Sequence, residues 1–207
     1  MTNYIILIQS FIRKYLIKNK NKKICDGMTF ELLNTCIDNY IDTIQQEKKI
    51  NQVLKSKKIR LSNFPSHISE NIAKFAIFNK YKIMPNWDIK KGDLLMDKLI
   101  NPLRFEIKGS IDLSNGPPTF GPKESWNYIY FIDGKENDIK KYKVYEVKLS
   151  NNSDIWRNIK INNSQTFFDQ CNQGRRPRIN FTNLQSQLGD KCKLIFYGYL
   201  SELNNNI

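Results

Sequence analysis

The sequence predicts an α+β fold: an α/β/α arrangement with a central mixed sheet flanked by helices, and a helical region added at the N-terminus. Three observations carry this expectation. Apolar residues recur at helical spacing through the first eighty positions, and from about residue 92 short strand-like runs take over. Loops containing Gly, Pro and Asn separate those later runs.

Taken in order, residues 4–18 (YIILIQSFIRKYLIK) read as an amphipathic helix, basic on one side, followed by a charged linker over 18–23. A long helical pattern covers 29–57 through Phe30, Leu32, Leu33, Cys36, Ile37, Tyr40, Ile41 and Ile44, with a solvated second half rich in Gln, Glu and Lys. A third helix starts near Pro65-Ser66, a favourable first-turn pair, and runs to about residue 80. Strands are expected at 92–96, 103–109, 128–133, 142–149 and 193–200, and further helices at 164–171 and 182–188. The change of texture divides the chain into an N-terminal helical region, 1–60, and a main domain, 61–207.

Composition narrows the function. With 207 residues, 40% of them hydrophobic, the chain can bury a real core. Thirty-three Lys plus Arg against 20 Asp plus Glu give a net charge of +13, which fits a polyanionic partner whose counterions are released on contact. A solubility surplus in a Lys-, Asn- and Ile-rich chain is the plainer alternative. Cys25, Cys36, Cys171 and Cys192 show no C-x-x-C spacing, and His67, the one histidine, sits at a helix start, so a structural zinc site lacks ligands. Free thiols in a reducing compartment are expected instead. No apolar run approaches the roughly 20 residues of a membrane span, and no signal-peptide pattern opens the chain. A cytoplasmic, intracellular protein without a membrane partner is the expectation.

The chemistry-bearing tract is GDLLMDKLINPLRFEIKGS, residues 92–110. In a strand from 103 to 108, alternation puts Leu103, Phe105 and Ile107 on one face and Arg104, Glu106 and Lys108 on the other. A hairpin centred between Leu99 and Ile100 sets Asp93 directly opposite Glu106, where Cβ atoms lie about 4.5–5.5 Å apart. Two such carboxylates suit a shared Mg2+ ion. Phosphodiester hydrolysis uses these parts: a cation to neutralise the phosphate and activate water, and Lys108 to orient or deprotonate that water and offset developing charge. The spacing alone is weak, because Asp133, Glu146 and Lys148 repeat it. There, however, Asp133 precedes Gly134 as in a turn and opens a polar loop over 135–141, whereas Asp93 runs into Leu94, Leu95 and Met96. The first copy is therefore preferred.

Gly92-Asp93-Leu94 followed by Phe105-Glu106-Ile107-Lys108-Gly109 resembles the PD-(D/E)XK signature, and residues 64–200 resemble type II restriction endonucleases of that superfamily. The resemblance implies a restriction-endonuclease-like core over 61–207, with Asp93 and Glu106 as metal-binding acids and Lys108 as the signature lysine. It also implies cleavage of double-stranded DNA leaving 5′-phosphates. The eponymous proline is replaced by Gly92. Many members add a glutamate from an upstream helix, and Glu70 is the candidate, on one stripe with Ala73 and Ile77. A capping or salt-bridge role is the plainer alternative for Glu70.

Two segments are expected to hold DNA. Residues 110–123, SIDLSNGPPTFGPK, form a Gly/Pro loop that can present Ser114, Asn115, Thr119 and Lys123 to a groove with little ordering cost, or simply pack Phe120. Similar restriction enzymes carry such a stretch followed by a Trp, here Trp126. The NQGRRPRIN run, residues 172–180, places Gln173, Arg175, Arg176 and Arg178 where arginine forks suit phosphate or guanine. A homodimer is expected, since two strands need two active sites. Finally, Ile8-Gln9, Arg13 and Lys18 resemble a calmodulin-binding IQ motif in which Lys14 replaces the usual Gly. Packing on the domain or across a dimer is the stronger reading of that helix, with a calmodulin-like partner the weaker one. The rival functions are a structure-specific repair nuclease with the same site and a non-catalytic DNA-binding module.

Overall fold

The computed structural model describes residues 28–54, 57–88, 93–96 and 101–204. The helix expected at 4–18, with its IQ-like residues, and the turn at 97–100 lie outside the described residues.

Helix α1, Phe30–Val53, starts where Thr29 accepts a 3.1 Å hydrogen bond from the Leu32 N–H, an N-cap that satisfies one otherwise orphan donor. Its buried residues Leu33, Ile37, Tyr40 and Ile44 fall four, three and four apart, so one stripe faces the core while the C-terminal half stays solvated. Helix α2, Ser66–Tyr81, is buried nearly all round from Ile68 to Ile77. It stops at Lys82, which adopts φ 57°.

Six strands form one mixed sheet in sequence order: β1 (Asn86–Trp87), β2 (Leu94–Met96), β3 (Leu103–Ser110), β4 (Tyr128–Glu136), β5 (Lys141–Val147) and β6 (Cys192–Tyr199). Every neighbouring pair is antiparallel except β3–β4, which is parallel and joined by the crossover segment 111–127. The β4 residues Ile129, Tyr130, Phe131 and Ile132 are all fully buried, as expected of a strand covered on both faces. One face packs against α1, α2 and the short C-terminal helix α6 (Leu200–Asn204). The other carries an aromatic cluster of Phe120, Trp126, Trp156 and Phe167, with helices α3 (Asp154–Arg157), α4 (Phe167–Asn172) and α5 (Phe181–Leu188). The expected helix–sheet–helix layering is what the chain adopts.

One expectation is corrected. Asp133-Gly134 opens no long polar loop, because β4 continues to Glu136 and the reversal is a tight turn over Asn137–Ile139, with Lys140 at φ 53°. Gly134 serves close packing: a Cβ there would stand 3.3 Å from the Phe64 ring. Strand β1 and helices α3 and α6 were not expected, being too short to show a period. Among the described residues no helix is long and apolar enough to cross a membrane.

Candidate active site

The register of β2 and β3 builds the site. Leu94 pairs with Phe105, Leu95 with Arg104 and Met96 with Leu103, so the next rung sets Asp93 opposite Glu106. The Asp93 N–H donates to the Phe105 carbonyl at 3.2 Å. In return the Asp93 carboxylate accepts from the Ile107 N–H at 2.6 Å, fixing that side chain against the strand carrying Glu106 and Lys108. Glu106 is 3% exposed, and Lys108 donates directly to its Oε1. The Lys108 ammonium also lies 5.6 Å from the centre of the Phe120 ring.

Burial dominates the electrostatics. It pushes Glu106 up to about 8, with Asp93 reinforcing the shift and Lys108 opposing it. Asp93 is raised for the same first reason, against the Ile107 hydrogen bond and the Lys108 charge. For Lys108 burial acts against the charged form, but Glu106 and Glu124 outweigh it and the ammonium is held above its ordinary value. Glu70 on α2 is pushed up to about 7, first by burial and next by the Asp93 charge. It therefore belongs to the same electrostatic unit. Its stripe partners Ala73 and Ile77 are fully buried. Gly109 permits this closeness, since a Cβ there would meet the Ser69 Cβ at 2.3 Å.

The duplicate trio takes a different form. Glu146 pairs across the sheet with Tyr130, three residues short of Asp133, which pairs with Lys143. Burial acts against the Glu146 charge, yet donors hold it below the usual carboxylate range: Lys80 at 2.6 Å, Tyr130 at 2.6 Å and Tyr81 at 2.9 Å. Its oxygens are already committed.

The two segments expected to hold DNA are zipped together. Thr119 and Arg178 form an isolated antiparallel bridge, and the Phe120 N–H donates to the Pro177 carbonyl at 3.0 Å. Arg178 Nε donates to Thr119 Oγ1 at 3.2 Å, and Asn180 Nδ2 to the Ser114 carbonyl at 2.8 Å. Phe120 is buried in the aromatic cluster, so the loop packs on the domain as well as bridging to Arg178. Asp112 accepts from the Ser114 N–H at 2.9 Å and from Asn115 Nδ2 at 2.8 Å, shaping the loop tip. Lys123, Gln173, Arg175 and Arg176 are exposed; Gln173 accepts from Gln165 Nε2 at 3.1 Å, and Arg176 lies 4.0 Å from Glu124. A cleft of about 690 Å³ runs from Lys108 along Asn115, Pro118 and Thr119 to Arg178.

Two contributors escaped the sequence. Another wall of the cleft comes from the segment before α2, including Arg60 and Asn63, where neither spacing nor motif marks a site. Glu124 reaches Lys108 at 3.4 Å and Arg176 at 4.0 Å. It stands 16 residues after Lys108 in the chain, and no spacing rule marks it.

Among the described residues no group of three or more His, Cys, Asp or Glu side chains is gathered to hold a metal. The set at hand is two carboxylates, Asp93 and Glu106. That set suits magnesium, which keeps several waters and takes one or two carboxylates together with substrate phosphate. Two neighbouring acids whose ionisation burial opposes are also what a cation relieves.

Comparison with known proteins adds three findings. A family model described as Bsp6I restriction endonuclease matches residues 33–186. The type II restriction enzyme Bsp6I of Bacillus sp. (strain RFL6) is 29% identical over 136 residues, 64% of this chain and 71% of that protein. No solved structure gives a significant match.

Proposed function

The chain belongs to the Bsp6I restriction endonuclease family, and from that premise we propose a type II enzyme that cuts both strands of DNA at a specific sequence, using magnesium and leaving 5′-phosphates. The observation that carries the reading is the Asp93–Glu106 rung with Lys108 on the same strand, Lys108 lining a cleft that extends to Thr119 and Arg178.

In this reading Asp93 and Glu106 hold the ion, which when bound neutralises the scissile phosphate and lowers the pKa of a water. Lys108 orients the attacking water and offsets charge developing on the phosphorus. Glu70, the third acid, contributes from α2 and steadies the cation end of the site. Arg175, Arg176 and Arg178 meet backbone phosphates or guanine edges, with Lys123 and Gln173 beside them. Ser114, Asn115 and Thr119 face the groove. Residues 61–207 carry this machinery, and 1–60 supply a helical region whose described part, α1, packs on it. A two-fold dimer gives each strand its own active site and matches a palindromic target. The free thiols Cys36, Cys171 and Cys192 fit a reducing cytoplasm.

Plasmid DNA incubated with the protein in magnesium, and in parallel in EDTA, tests this. Discrete fragments in magnesium, with 5′-phosphates at sequenced ends and none in EDTA, are expected. A smear without fixed ends indicates a nuclease that ignores sequence. Intact DNA in magnesium overturns the reading.

A further inference from the structure

Lys108 stands between two carboxylates. It donates to Glu106 Oε1, and its Nζ lies 3.4 Å from Glu124 Oε2. Glu124 is held by its backbone: its N–H donates to the Gly121 carbonyl at 3.3 Å, and its carbonyl accepts from Asn151 Nδ2 at 2.9 Å. The side chain folds over Gly121, where a Cβ would stand 2.5 Å from Glu124 Oε1. Asn151 in turn accepts from the Trp126 N–H at 3.3 Å, tying the loop to a buried ring.

This arrangement meets a conflict within the active-site reading. Glu106 is asked to give its oxygens both to a cation and to Lys108, while Lys108 must keep its place beside the reacting phosphate. A second carboxylate on the other side of the ammonium removes the conflict. We propose that Glu124 is a positioning residue, the alternate partner that takes the Lys108 ammonium when Glu106 turns to a divalent ion. The inference rests on the active-site reading above and adds a residue to it. Glu124 Oε1, 4.0 Å from Arg176, also places the positioning group at the junction of the chemistry and the arginine turn.

The test uses the full-length protein without DNA, measuring the magnesium concentration that half-saturates its thermal stabilisation. Glu124→Gln raises that concentration about tenfold, the low end of what loss of an outer-sphere partner does to metal affinity. In a Lys108→Met background the same substitution shifts it less than about twofold, because no ammonium then competes for Glu106. Gly121→Ala displaces the carboxylate without removing its charge and weakens magnesium to a similar degree, so the proposal stays testable if Glu124→Gln folds poorly. In cleavage assays Glu124→Gln lowers kcat and leaves KM for DNA unchanged. Equal shifts in both backgrounds, or none in either, overturn the proposal while leaving the active-site reading intact. A wild-type protein indifferent to magnesium ends both.

Discussion

The Asp93 carboxylate accepts a 2.6 Å hydrogen bond from the main-chain N–H of Ile107, the residue between Glu106 and Lys108. That bond fixes the first acid relative to the other two groups through backbone, so the spacing of the trio does not depend on long flexible side chains finding each other.

Removing the charge while keeping the shape isolates the chemistry. Asp93→Asn and Glu106→Gln should each lower the single-turnover cleavage rate about 100-fold or more, the scale lost when a group that stabilises transition-state charge is removed. DNA affinity measured by gel shift in EDTA should not weaken. Near-wild-type cutting by either variant would remove that acid from the proposed site.

Stability should depend on pH in an unusual direction. Glu106, lifted to about 8, and Glu70, lifted to about 7, keep protons in the fold that the unfolded chain releases, and Asp93 shifts the same way. Their contribution is full below the unfolded carboxylate range and is lost as pH rises toward 8. Glu146, held low, titrates below this window. Melting temperature in EDTA is therefore expected to fall between pH 5 and pH 8, with Glu106→Gln flattening the slope. A rise over that interval would contradict the buried-acid picture.

Gly109→Ala tests the approach of α2 to β3. The new Cβ would meet the Ser69 Cβ at 2.3 Å, so helix or strand must move, and overpacking of this kind costs about 1–3 kcal/mol. Urea denaturation should register the loss, and Ser69→Gly in the same molecule should recover most of it. Absence of recovery would place the strain elsewhere.

For the arginine turn, the salt dependence of DNA binding is more informative than affinity alone. Replacing Arg175 or Arg176 with Ala should weaken binding on every sequence and reduce the log–log salt slope by about 1 if the lost contact is a phosphate. Arg178, tethered to Thr119 at 3.2 Å, is the better placed to read a base. Its replacement should lower discrimination between cognate and mismatched duplexes. Unchanged slopes and unchanged discrimination would exclude the turn from the interface.

The duplicate trio supplies a control. Glu146→Gln removes the charge and replaces one of the two acceptor oxygens that take Lys80, Tyr81 and Tyr130, and should cost about 1–3 kcal/mol of stability, moderated by the partial exposure of Lys80. Cleavage per folded molecule should stay within about twofold of wild type. A specific collapse of kcat would transfer the chemistry to this trio.

Much of this was legible because strand register is arithmetic. Once Leu94 and Phe105 face each other, Asp93 and Glu106 must follow, and the apolar neighbours of Asp93 favoured that alignment over the later copy. What stayed hidden was three-dimensional. Glu106 lies buried because helices cover both faces of the sheet, and Glu124 reaches Lys108 only because the crossover loop is pulled down by Phe120 and Trp126. Gly134 looked like a turn residue because its neighbours are polar, whereas its bare Cα makes room for Phe64.

The rung between Thr119 and Arg178 has a consequence for inheritance of specificity. In the proposed enzyme these two stretches, almost sixty residues apart in sequence, form a single reading head, so a change in one is expected to leave the other misaligned. New target preferences in such relatives should arise through paired exchanges across that rung, and transplanting either stretch by itself should yield a protein that folds yet reads nothing.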